Sequence, residues 1–245
     1  MVLEMTDRVA DMGQANRKPV IIEFYGLPGA GKTTTAFAIQ KQLRNMEIRV
    51  LSPKRIIDHQ FKYKEIVLSK EIRDVYIIFL KALFLVRPIT RERIRFMNMA
   101  FNYWLGIKNF HIAGKQKNGI CILDQGIVQA FVSMAYLGKI TNKEKYCRCI
   151  QQVVDMLDNV IFVNCRINPD ISIMRMRARK PNGGRLQQIK NDNELRKMLQ
   201  IQMLQFERIT EKSVKGAITI HMNEQAEANA EKIVEYCLGC SYKSE

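Results

Sequence analysis

The chain has 245 residues, 47% of them apolar and 26% charged, a balance that excludes a disordered tail, a disulfide mini-protein and a collagen-like rod. At this length about 70–75% of the unfolded surface is buried on folding, so the core needs neither disulfides nor a structural metal. Lysine and arginine number 39 against 24 aspartates and glutamates, a formal charge of +15 that favours anionic partners.

Residues 1–18 are polar and without a clear period, and they read as a loose arm. They carry Glu4, Asp7, Arg8 and Asp11 and no apolar core segment, so they do not read as a secretory signal. Residues 19–245 read as one domain. Val20 to Tyr25 (VIIEFY) is a buried strand, and Thr33 to Asn45 follows as a helix with Ala36, Ile39 and Leu43 at helical spacing. Ile48 to Leu51 is a second strand, stopped by Ser52 and Pro53. Tyr63 to Leu85 and Arg91 to Phe110 are helices with at least one apolar face. Gly119 to Leu123 (GICIL) is a third strand ending at Asp124. A helix over Lys143 to Leu157 leads to a fourth strand, Val160 to Cys165, and Asn168 and Pro169 open another helix. Gly216 to Met222 is a fifth strand, and Glu224 to Cys237 closes the chain as a helix.

The strands are continuous apolar runs that alternate with helices. That pattern belongs to a doubly wound α/β domain, a five-stranded parallel sheet with helices on both faces. Ligands in such sheets bind at the carboxyl ends of the strands, here just after Tyr25, Leu51, Leu123 and Cys165. The most apolar window, Val75 to Val86, contains Lys81 and is too short to span a bilayer. With six scattered cysteines (Cys121, Cys147, Cys149, Cys165, Cys237, Cys240), the expectation is a cytoplasmic protein with reduced thiols.

Directly after the first strand stands Gly26-Leu27-Pro28-Gly29-Ala30-Gly31-Lys32-Thr33, a match to G-x-x-x-x-G-K-[ST], followed by Thr34. Glycines let the backbone turn tightly and approach a ligand, and successive N–H groups then form a nest for phosphate oxygens. The helix that starts at the loop adds its positive end. Lys32 supplies a full charge to the terminal phosphates, and the Thr33 hydroxyl is suited to ligate Mg2+. Asp124, at the end of the neighbouring strand, is the candidate for the carboxylate near that metal; a helix cap is its alternative. The expected cofactors are therefore ATP and Mg2+.

GLPGAGKTT, then LDQGIVQAFVSMAYLG, then a fourth strand and an arginine-rich segment resemble the thymidylate kinase and deoxynucleoside kinase group of P-loop kinases over about Val20 to Leu238. Asp124 and the stretch Ser133 to Tyr136 match the family's order after the third strand. The family arginine that holds an acceptor phosphate falls on Gln125, and the family glutamate before the first loop glycine falls on Tyr25, with Glu23 two residues earlier. The resemblance implies strand order 2-3-1-4-5 and a homodimer through a helix pair, for which the apolar Tyr63 to Leu85 helix is the candidate. It also implies an arginine-bearing lid near residues 174–190.

Arg175 and Arg179 share a helix face at i,i+4 spacing, while Arg177 points elsewhere; Arg185 lies beyond Pro181 and the paired glycines. Arginines there suit the charge that spreads over a phosphoryl group in transfer, and a solvated basic helix end is the alternative. On the acceptor side Asp58 stands near where nucleoside kinases keep a base, or caps a helix; Arg91 and Arg95 share a face that either meets the acceptor or is solvated. From Lys54 to Phe110 there are 12 basic and 5 acidic residues, and from Asn164 to Gln200 there are 9 and 3, so the charge is local and suits an anion pocket.

These residues point to ATP- and Mg2+-dependent phosphoryl transfer to a small acceptor, a nucleotide or nucleoside. The alternatives are a polynucleotide-end kinase or other nucleic-acid partner, and a nucleotide-binding switch or assembly ATPase. No aromatic platform for single strands is evident. The nearest run to a guanine-reading N-K-x-D, Asn142-Lys143-Glu144-Lys145, lacks the aspartate.

Overall fold

The computed structural model describes residues 20–51, 70–113, 119–136, 138–178, 186, 189–223 and 225–240. The arm over residues 1–18, Asp58, the first turns of the helix expected from Tyr63, Arg179 and Arg185 lie outside the described residues.

The elements run β1 (Val20–Gly26), α1 (Lys32–Asn45), β2 (Val50–Leu51), α2 (Lys70–Phe84), β3 (Val86–Arg87), α3 (Arg91–Ala113), β4 (Ile120–Leu123), α4 (Ile127–Tyr136), β5 (Lys139–Ile140), α5 (Lys143–Asp155), β6 (Val160–Arg166), α6 (Pro169–Arg177), α7 (Asp192–Ser213), β7 (Ile218–His221) and α8 (Ala226–Cys240). Five strands form one sheet in the order β2-β4-β1-β6-β7, every pair parallel. Numbered along the chain, the sheet strands stand 2-3-1-4-5, as the sequence led one to expect.

Ile21 to Gly26 are buried without a break, because β1 is the central strand and both its faces are covered. The edge strand β7 instead alternates between half-buried and exposed residues. Glu23 pairs in register with Leu123 on one side and Phe162 on the other, and Gly26 with Cys165. The ends of β1, β4 and β6 therefore form one shelf, and the glycine loop, Asp124 and Arg166 all leave from it.

Behind the shelf, α1 packs on α8, α3 on α4, and α5 on both α2 and α7. Phe79 of α2 stacks on Phe131 of α4 at 5.1 Å, and Phe131 meets Tyr146 of α5 edge-on at 6.2 Å. The Tyr146 hydroxyl donates to the Phe131 carbonyl at 2.7 Å, so three helices are fixed to one another behind β1. On the outside, α2 leaves Tyr76, Ile77 and Phe84 exposed. No described helix is long and apolar enough to cross a membrane.

Helix α6 starts as its sequence dictates: the Asn168 side chain accepts from the Asp170 N–H at 2.8 Å, and Pro169 takes the first position. Two features were not expected. Helix α7 buries Leu195, Leu199, Phe206 and Ile209 along one face, starts on an Asn191 cap and packs on α5 and α6. The pair β3 and β5 forms a separate antiparallel ribbon of two residues a strand, too short to leave a period in the sequence.

Candidate active site

Gly26 ends β1 at φ +147°, and a Cβ placed on it would lie 2.4 Å from the Cys165 carbonyl oxygen of the neighbouring strand. No side chain fits there, because the obstacle is backbone. Gly26→Ala should therefore leave little soluble, folded chain, and a wild-type melting curve for that variant would contradict the placement. Gly31 turns the chain into α1 at φ +91°. Helix α1 has no side-chain cap and no acid in its first turn, so no negative side chain of its own offsets its positive end at the loop.

The loop is held from two sides. From within, the Lys32 ammonium donates to the carbonyls of Gly26 at 2.9 Å and Leu27 at 2.8 Å. From α6, the Ser172 hydroxyl donates to the Pro28 carbonyl at 2.6 Å and Arg175 Nη1 donates to the Ala30 carbonyl at 3.3 Å. The structure thus brings Arg175, 145 residues away in sequence, onto the glycine loop. Across the mouth, the Thr33 hydroxyl donates to Asp124 Oδ2 at 3.0 Å. A hydroxyl and a carboxylate side by side are hard oxygen donors that fit Mg2+, which takes one or two protein oxygens and completes its shell with phosphates and water. Among the described residues no group of three or more His, Cys, Asp or Glu gathers as a metal cage.

Next to the loop lies a cleft of about 440 Å³ lined by Ala30, Gly31, Thr34, Arg175, Met222 and Asn229, with further residues of the turn between β7 and α8. It opens from the helix start toward the chain's last strand, and Thr34 is exposed at its edge.

A second group stands behind the loop, of which the sequence pointed only to Glu23, without a role, and not to Gln129. Glu23 is fully buried in β1, and its Oε1 accepts from the Val128 N–H at 2.7 Å. Gln129 Oε1 accepts from the Gly26 N–H at 3.0 Å. The sign of Glu23 was a lone acid within an apolar central strand; Gln129 left none. Tyr103 of α3 stands on the same side: burial first, then the negative charges of Asp124 and Glu23, push its phenol up.

Burial pushes the Glu23 carboxyl from 4.5 up to about 7, while the N–H groups of Val128, Ile127 and Gln129 pull it down. Between those two values the unfolded chain releases the proton and the folded chain keeps it. Stability therefore falls as pH rises through that window, by up to about 3 kcal/mol, and is level above it. Glu23→Gln removes the fall. Its melting temperature should gain on the wild type between pH 5 and 7.5, and a constant difference across that range would contradict the assignment.

The other candidates are placed as follows. Arg177 donates through Nε and Nη2 to Asp192 and through Nη2 to the Ile189 and Lys190 carbonyls, which ties it to the start of α7. Gln125 is exposed between β4 and α4. Arg91 and Arg95 are exposed on the first turns of α3. They lie about 18 and 12 Å of helical rise before Tyr103. Arg93 between them is buried and crowds Gly138; burial lowers its guanidinium, and its Nε and Nη1 find no hydrogen-bond partner.

No family model matches the chain, and no curated protein matches it. Among solved structures it is similar to the deoxyadenosine kinase of M. mycoides with bound dCTP, at 15% identity and TM-score 0.45 over 89% of this chain and 98% of that one. The same kinase with products dCMP and a flexible dCDP aligns at 15% and 0.44, and with dATP at 16% and 0.45, over the same shares.

Proposed function

We propose that the chain transfers the γ-phosphoryl group of ATP to a small acceptor, a nucleoside or nucleotide. One observation carries this reading: the Thr33 hydroxyl and the Asp124 carboxylate meet at 3.0 Å across the mouth of a glycine loop that opens a helix. A loop that merely turned the chain would have no need of a hard-oxygen pair at that point.

In this reading the amides from Gly29 to Thr33 cradle the β- and γ-phosphates, and Lys32 turns its ammonium from the loop carbonyls onto their oxygens. Arg175, already on the loop, neutralises charge on the moving group. Thr33 and Asp124 would hold Mg2+, which when bound neutralises the phosphate oxygens and fixes their geometry. The donor base lies in the cleft beside Gly31 and Arg175.

The general nucleic-acid reading loses support because the second basic stretch is partly neutralised within the chain. Arg177 pairs with Asp192 at 2.8 Å, Arg196 with Asp170 at 2.5 Å and Arg166 with Glu207 at 3.5 Å.

The test is transfer of label from γ-labelled ATP to a panel of nucleosides, nucleotides, sugars and oligonucleotides, with Lys32→Ala as control. Labelled nucleoside or nucleotide is the expected product. Label only on oligonucleotide ends, or ATP hydrolysis with no labelled acceptor, would overturn the proposal.

A further inference from the structure

We infer that Glu23 and Gln129 are positioning residues that hold the turn Asp124–Gly126 in register with the phosphate loop. The inference rests on the kinase reading above and extends it to a pair of side chains that no phosphate reaches.

The two side chains form reciprocal ties between the same two backbone segments. Gln129 reaches from the first turn of α4, and its Oε1 accepts the N–H of Gly26, the residue where β1 becomes the loop. Its Nε2 donates to the Ser133 hydroxyl at 3.4 Å, which fixes the orientation of the amide. Glu23 reaches the other way, from β1 to α4, where its Oε1 takes the Val128 N–H. Its Oε2 has no hydrogen-bond partner and fills the space beneath Gly126, where a Cβ would lie 2.5 Å from it. Asp124 lies just before the points where these ties meet α4, four residues before Val128 and five before Gln129.

Stability alone does not account for the arrangement. A buried carboxylate is costly, and an apolar pair of similar volume would fill the same space at less expense. The ties fix how far the Asp124 carboxylate stands from the Thr33 hydroxyl, and small displacements of such a pair weaken a metal site strongly. They also take the Gly26 N–H away from the phosphate nest and leave the nest to the amides that follow.

The experiment is a titration of the full chain with a fluorescent ATP analogue, once in EDTA and once in excess Mg2+. The ratio of the two affinities is the gain from Mg2+, with Asp124→Asn as the reference that lacks it. Gln129→Met keeps the volume and removes the acceptor. It should keep the metal-free affinity and the far-ultraviolet spectrum, yet lose about 10-fold or more of the Mg2+ gain. Glu23→Leu should lose the gain likewise, while Glu23→Gln, which keeps shape and acceptor, should retain it. Should Gln129→Met fail to fold, the contrast of Glu23→Leu with Glu23→Gln decides by the same ratio. Folded Gln129→Met and Glu23→Leu variants with the wild-type gain would overturn the inference and leave the kinase reading standing. Absence of analogue binding to the wild type would overturn both.

Discussion

Lys32→Ala should lower kcat/KM for phosphoryl transfer by about 10²–10³-fold, the cost of removing one preorganised donor from a site of developing charge. The loop itself should survive the change. With the lysine's two bonds gone, its path is still held by Gly26 and Gly31 at positive φ and by the Ser172 and Arg175 bonds from α6. What is lost is an ammonium within 3 Å of two loop carbonyls, close enough to swing onto phosphate oxygens. A coupled assay of ADP release, run beside circular dichroism, measures the effect. A variant within threefold of wild type would remove Lys32 from the chemistry.

Asp124→Asn is the second large effect. The amide oxygen can still accept from the Thr33 hydroxyl, so the geometry at the mouth of the loop is retained and only the charge goes. Transfer should fall about 10²-fold, and the Mg2+ concentration for half-maximal rate should rise by about 10-fold or more, since a neutral oxygen is a far poorer ligand for a hard cation. The paired change separates the metal role from a helix-capping role. Asparagine caps α4 as well as aspartate does, so a mere cap predicts an unchanged Mg2+ requirement.

The central strand, the glycine loop and the helix after it were legible because their signals are local, whereas the strand order came from the family resemblance. VIIEFY is an unbroken apolar run, the glycine motif follows it directly, and a helical period follows that. Asp124 was legible from its place after GICIL, and the Thr33 bond now ties it to the loop. Arg175 was read as one of a cluster; of its two described members, Arg175 meets the loop through the packing of α6 and Arg177 turns to Asp192, while Arg179 and Arg185 lie outside the described residues. Arg91 and Arg95 are both exposed at the start of α3, and no described contact ties either to Asp124 or the glycine loop. Helix α7 was missed because the reading of residues 164–200 followed their charge, and the apolar stripe from Leu195 to Ile209 runs through its end. Glu23 and Gln129 meet α4 and the loop across more than 100 residues of chain, a pairing that no local period can show.

A crystal soaked with a non-hydrolysable ATP analogue and Mg2+ bears most directly on the central reading. The β- and γ-phosphates should sit on the amides from Gly29 to Thr33, with Lys32 moved onto their oxygens and the metal between Thr33 and Asp124. A nucleotide bound elsewhere, with Lys32 still on the Gly26 and Leu27 carbonyls, would contradict it.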